Sequence, residues 1–288
     1  MKKIVLIVSL FLVCFQGQSP NSDSMADAGT VPVDKPRYVS LAPSTTEILF
    51  ALGLDKEIIG VSSFCNYPQK TNSKDKIGDF SNPNIEKIIS LKPDYIFGTG
   101  LEQSPTIDKL RKIELKVYVS DPVNIKELLD SIREIGVITH RQEKAEELLK
   151  DIQSRMEKIS AQVNLIPREK RPKVFMEVWH EPLTTAGGGS FVDEIISLAG
   201  GINIASDTKR PYSIFSQEDV IRRNPDYIII GYMDKKSPPD SIQRRFGWDK
   251  IKAVTDKKVY NDINPDLFFR PGPRFIDGLE EIHKRLYP

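Results

Sequence analysis

Two stretches of this chain say nearly the same thing: "PNIEKIISLKPDYIFG" at 83–98 and "FSQEDVIRRNPDYIIIG" at 215–231. Glu86 matches Glu218, and Asp94-Tyr95 match Asp226-Tyr227, at one constant offset (218 − 86 and 226 − 94 both give 132). Each copy reads as a helix start, a Pro-Asp-Tyr turn and an apolar strand. A unit repeated at so long an interval points to two similar halves.

Both halves alternate strands with helices. In the first, "RYVSL" and "EIIGVSS" are strand-like. Ser44-Thr45-Thr46-Glu47 has the pattern of a capping box opening an apolar helix that ends near Gly53. The second half starts near Arg171 with the strand "PKVFMEVW", continues through "GGGSFVDEIISLAGG" and closes on the helical "PRFIDGLEEIHKRLY". This order predicts parallel sheets covered by helices.

The segment between the halves, from Gln142 to about Val163, lacks Pro and Gly. Ala145, Leu148, Leu149, Ile152, Met156 and Ile159 fall on one stripe at helical spacing. A helix of that span is roughly 33 Å long. It predicts a stiff strut rather than a flexible linker, which would be rich in Gly, Ser or Pro. The expected fold class is therefore α/β: two similar lobes with parallel sheets joined by one long helix, with a cleft between them. The expected divisions are an N-terminal lobe at 37–140, a bridging helix at 141–166 and a C-terminal lobe at 167–288.

The first residues belong to neither half. Lys2 and Lys3 precede an apolar run from Ile4 to Phe15, which reads as a secretory signal peptide over 1–15. Residues 16–36 are rich in Ser, Asp, Gly and Pro and read as a tether. Cys14 closes the apolar run, where a bacterial lipoprotein signal places the cysteine that is lipidated after cleavage. Phe11-Leu12-Val13 departs from the small residues usual before it, and plain signal-peptide cleavage is the alternative. Cys65, the other cysteine, then has no disulfide partner.

Formal net charge is +1, so no basic footprint points to nucleic acid. The three histidines, His140, His180 and His283, stand in different contexts, and neither a zinc-protease nor a nucleophile-elbow motif occurs. No catalytic residues and no bound metal are expected. His180 is an outside candidate for contact with a ligand's metal. Asn84 and Ser216 are expected N-caps, which puts Glu86 and Glu218 at matched second positions of two helices. Acidic residues there favourably meet the helix dipole. They also offer one carboxylate per lobe for two-point docking.

In order along the chain, "VSLAPSTTEILFALG", "GVSSFCNYP", "IEKIISLKPDYIFG", "SFVDEIISLAGGINIA", "SQEDVIRRNPDYIII" and "NPDLFFRPGPR" resemble the substrate-binding proteins of ABC importers for cobalamin, iron-siderophores and haem. "SFCNYP" and "DLFFRPGPR" are most similar to the members that bind vitamin B12. The resemblance covers about residues 36–288. It implies a monomeric periplasmic or outer-surface protein, without cofactor, that delivers its ligand to a permease dimer and ATPase. It implies permease docking through Glu86 and Glu218, and ligand contacts at Phe64, Phe80, Tyr212, Asp266 and Arg270. Trp179 is a further candidate. Aromatic faces suit a broad flat ring, and Asp266 and Arg270 suit its amides and phosphate. The implied ligand is cobalamin or a related corrinoid, with an iron-siderophore or haem as the alternative. A tetrapyrrole metal chelatase of similar build is a remote enzyme reading.

Overall fold

The computed structural model describes residues 35–100, 102–232, 242 and 244–288. The expected signal peptide, Cys14 and nearly all of the tether lie outside them. The first sheet contains β1 (Tyr38–Ser40), β2 (Ile58–Val61), β3 (Asp75–Lys76), β4 (Tyr95–Gly98) and β5 (Val117–Val119). Its order is β3-β2-β1-β4-β5, and every pairing is parallel. The helices of this lobe are α1 (Pro43–Ala51), α2 (Ile85–Ser90), α3 (Ser104–Lys112) and α4 (Ile125–Ile138).

The strut is α5 (Gln142–Val163), 22 residues long. Ala145, Leu149, Ile152 and Ile159 are buried along it, and Leu148 and Met156 pack beside them. It lies against α4 of the first lobe and against α6 (Phe191–Leu198) and α10 (Phe275–Leu286) of the second. Arg155 adds a polar tie, donating to Glu280 from Nε at 2.7 Å and to Asp277 from Nη2 at 2.6 Å.

The second sheet contains β6 (Lys173–His180), β7 (Leu183–Ala186), β8 (Ile202–Asn203), β9 (Tyr212–Ile214), β10 (Tyr227–Ile230) and β11 (Val259–Tyr260). Its order is β11-β10-β6-β7-β9, with β8 also on β6. Its remaining helices are α7 (Gln217–Arg223), α8 (Lys252–Thr255) and α9 (Asp266–Phe269). Here the sheet is mixed rather than purely parallel, because β7 runs antiparallel to both β6 and β9. The strand read at "PKVFMEVW" does not end there but turns back as a hairpin whose arms are β6 and β7. Glu181-Pro182 makes the turn.

Alternate residues of the inner strands feed different cores, so both faces of each sheet are covered. Val174 and Met176 join the central core that includes α5, whereas Phe175 joins one on the opposite face of its sheet. Tyr38 and Val39 divide in the same way in the first lobe.

The repeated Pro-Asp-Tyr turn has a structural cause. Asp94 Oδ2 accepts the backbone N–H of Arg37 at 2.7 Å, at the entry to β1. Asp226 Oδ2 accepts that of Lys173 at 2.8 Å, at the entry to β6. In each lobe this aspartate ties the repeated unit to the lobe's first strand. The residues before the two prolines, Lys92 and Asn224, both have left-handed φ, +48° and +47°.

The expected capping box does not form. Pro43 takes the first helical position of α1, Ala42 is the N-cap, and no side chain caps it. Glu47 is buried instead and binds an arginine from the other lobe. Asn84 and Ser216 do cap, accepting from Lys87 N and Asp219 N.

Candidate functional site

The strand order of the first sheet reverses between β1 and β4, which opens a crevice at the carboxyl ends of the strands. The residues that line the interlobe cavity from this lobe all follow strands: Ser44 after β1, Phe64 after β2, Phe80 after β3, Thr99 after β4 and Asp121 after β5. Gln103 holds three of these connections together from a fully buried position. Its Nε2 donates to Leu41 O at 2.8 Å and Phe80 O at 3.0 Å, and its Oε1 accepts from Thr99 N at 3.0 Å.

The second lobe contributes Trp179 at the end of β6, Phe191 at the start of α6, Tyr212, Phe269 and Arg270. Gly231 also lies on the wall, and a Cβ there would come within 2.5 Å of the Phe269 ring. The absence of a side chain at 231 therefore lets that ring lie against the sheet. The cavity has a volume of about 820 Å³. That is towards the upper end of the roughly 300–1,000 Å³ usual for small-molecule sites.

Phe64, Trp179 and Tyr212 remain 55%, 41% and 46% exposed on this wall. At that exposure Phe64 is not a core residue. Phe80 is half-buried. Large rings presented to an open cleft from both sides make an apolar clamp for a flat ligand. Desolvation pushes the Tyr212 phenol above its ordinary pKa. Trp179 is held in place, its Nε1 donating to Glu181 O at 2.9 Å.

Arg270 reaches the cavity and also crosses it, donating to Asn66 Oδ1 of the other lobe at 2.6 Å. Asp266 is not among the described wall residues. It pairs with Arg270 at 3.0 Å and so acts on the cavity through that guanidinium. His180 is not on the described wall either, and its ring stacks on Trp179 at a centroid distance of 4.9 Å. No cluster of three or more side chains able to hold a metal occurs among the described residues.

Glu86 and Glu218 occupy the second positions of α2 and α7, both exposed, and neither joins an ion pair among the described residues. Each helix starts at the carboxyl-end rim of its sheet, because β9, like β3, runs parallel to the first strand of its lobe.

Three features were not expected from sequence. Glu47 takes hydrogen bonds from Arg274, whose guanidinium also lies 3.7 Å from the centre of the Tyr67 ring. Burial pushes the Glu47 carboxyl above its ordinary pKa, against the opposing pull of Arg274 and Arg270. Behind Trp179 the fully buried Glu177 binds Arg245 at 2.6 and 2.7 Å and also accepts from Tyr232. Phe269 was hidden beside Phe268, which is fully buried.

Two α/β lobes on a helical strut, with an open aromatic cleft between them, define a solute-binding protein. A family model described as periplasmic binding protein matches residues 39–264, and the chain belongs to that family. It is a substrate-binding protein, not an enzyme. The uncharacterized ABC transporter substrate-binding lipoprotein YvrC of Bacillus subtilis is 33% identical over 264 residues, 90% of this chain and 82% of that protein. The vitamin B12-binding protein of Vibrio cholerae is 28% identical over 87% of this chain and 89% of its own length.

Among solved structures, a possible iron-binding periplasmic protein of Staphylococcus epidermidis superposes with a TM-score of 0.76 at 33% identity, over 88% of this chain and 98% of that one. The V. cholerae vitamin B12-binding protein BtuF gives 0.75 at 27%, over 87% and 96%. The V. cholerae haem-binding protein HutB gives 0.78 at 25%, over 88% and 99%.

Proposed function

We propose that this chain is the extracytoplasmic binding component of an ABC importer and carries cobalamin or a related corrinoid in its interlobe cavity. The observation that carries this reading is the cavity wall itself: Phe64 and Phe80 from one lobe, and Trp179, Tyr212 and Phe269 from the other, around about 820 Å³. Flat apolar faces bind a broad ring, and hydroxyls such as Ser44 and Ser81 can meet its amide fringe. The likeness to vitamin B12-binding proteins agrees with this. Haem or an iron-siderophore is the second reading, favoured by the likeness to HutB and to the S. epidermidis protein.

Delivery would use the exposed carboxylates of Glu86 and Glu218, one per lobe, against arginines of a permease dimer that works with its ATPase. Cys14 would carry a lipid anchor at the outer face of the membrane, and YvrC is likewise named a lipoprotein. The test is quenching of intrinsic fluorescence by a panel of cyanocobalamin, cobinamide, haem and ferric siderophores. Trp179 on the wall should report cyanocobalamin and cobinamide at low concentration. Quenching by haem or a siderophore alone would transfer the proposal to the second reading.

A further inference from the structure

Only two charged side chains stand on the described wall, Asp121 from the first lobe and Arg270 from the second, and they are not equivalent. Arg270 is already matched. Asp266 lies at 3.0 Å, Glu47 at 3.9 Å, and Asn66 accepts one of its N–H groups. Arg274 in turn neutralises Glu47. This end of the cavity therefore holds two guanidiniums against two carboxylates.

Asp121 has no such counterpart. Its Oδ1 accepts the Thr99 hydroxyl at 2.9 Å, and no ion pair reaches it among the described residues. Its position is built. Ser120 N donates to Gly98 O at 2.8 Å, fixing the end of β5, and Pro122 disfavours a helical backbone at residue 121. The carboxylate lies close against Gly100, where a Cβ would come within 3.0 Å of Oδ2. Among the described residues no donor is recorded to Oδ2, so Asp121 is the wall charge left without an opposite charge beside it, whereas the charges around Arg270 balance among themselves.

We propose that Asp121 is a specificity-determining residue of the cavity. It selects ligands whose edge presents neutral hydrogen-bond donors, such as carboxamides, and rejects ligands whose edge presents carboxylates. The inference rests on the reading that the ligand occupies this cavity. It deepens that reading by separating amide-fringed rings from carboxylate-bearing ones. A carboxamide N–H facing Asp121 gains a charge-assisted bond, whereas a carboxylate there meets a like charge as the ligand displaces water. Because Asp121 sits at the open side and is screened, each effect should be modest.

The test compares wild type with Asp121→Asn by calorimetry, using cyanocobalamin, its monocarboxylic acids made by hydrolysis of one peripheral amide, and haem. Wild type should prefer the amide form. Asp121→Asn keeps the size and the bond from Thr99, and should reduce that preference roughly three- to tenfold. Thr99→Val, which frees the carboxylate to turn away, should shift it in the same direction by less. An amide-to-acid preference unchanged within about twofold of wild type would overturn the proposal. If wild type binds haem and no corrinoid, the cobalamin reading fails by itself. Asp121→Asn should then tighten haem binding, and unchanged or weaker haem binding would overturn the role of Asp121.

Discussion

Arg274 donates to both carboxylate oxygens of Glu47, from Nε at 2.8 Å and from Nη2 at 2.5 Å, across 227 residues of sequence. The pair ties the start of the last helix to the first helix, beneath the cavity. Removing Arg274 leaves the buried Glu47 without its hydrogen-bonded partner and with only Arg270 near it, at 3.9 Å, so Arg274→Met should cost about 3 kcal/mol in urea unfolding. Adding Glu47→Leu should recover much of that loss, because no uncompensated charge then remains. A cost below about 0.5 kcal/mol for the single change would mean that the lobes are held without this pair.

At the wall, Gly231→Ala should force the Phe269 ring off the sheet. Overpacking of this kind costs about 1–3 kcal/mol, and the displaced ring would occupy part of the cavity. We expect weaker ligand binding together with a lower melting temperature. Normal affinity in this variant would show that Phe269 moves away from the cavity rather than into it.

The two-lobed α/β fold, the strut and both N-caps were legible because each rests on local pattern. Residues 142–163 contain neither helix breaker, and Asn84 and Ser216 cap through groups three residues away. Glu47 was misleading because Ser44-x-x-Glu47 spacing imitates a local cap, while its real partner is fixed only by folding. The β6–β7 hairpin was missed because Pro182 and two threonines resemble a loop. The threonines belong to a strand, with Thr185 fully buried and its hydroxyl donating to Met176 O at 2.8 Å. Nothing in "DLFFRPGP" distinguishes the phenylalanine that faces the cavity from the one that faces the core. Asp121 carried no motif at all.

Charge reversal at the rim separates docking from binding. Glu86→Lys or Glu218→Lys should depress uptake of the ligand by cells while changing its affinity for the purified protein less than twofold. Neither residue lines the cavity, and both are exposed. Loss of ligand binding in both variants, or full uptake in both, would remove the docking role.

Because α5 is continuous and buried along one side, the lobes should move little when ligand enters. Small-angle scattering curves of the empty and loaded protein should nearly superimpose. A Gly pair placed near Leu149 should enlarge the change. A large fall in radius of gyration in the unaltered protein would contradict the strut.

Calorimetric titration with cyanocobalamin, of wild type beside Phe64→Ala and Trp179→Ala, addresses the ligand and its place together. We expect one cyanocobalamin per chain, and roughly tenfold or greater loss of affinity in each variant, as for large aromatic anchors at a binding surface. No heat with cyanocobalamin but tight haem binding, or cyanocobalamin binding unaffected by either substitution, would contradict the account.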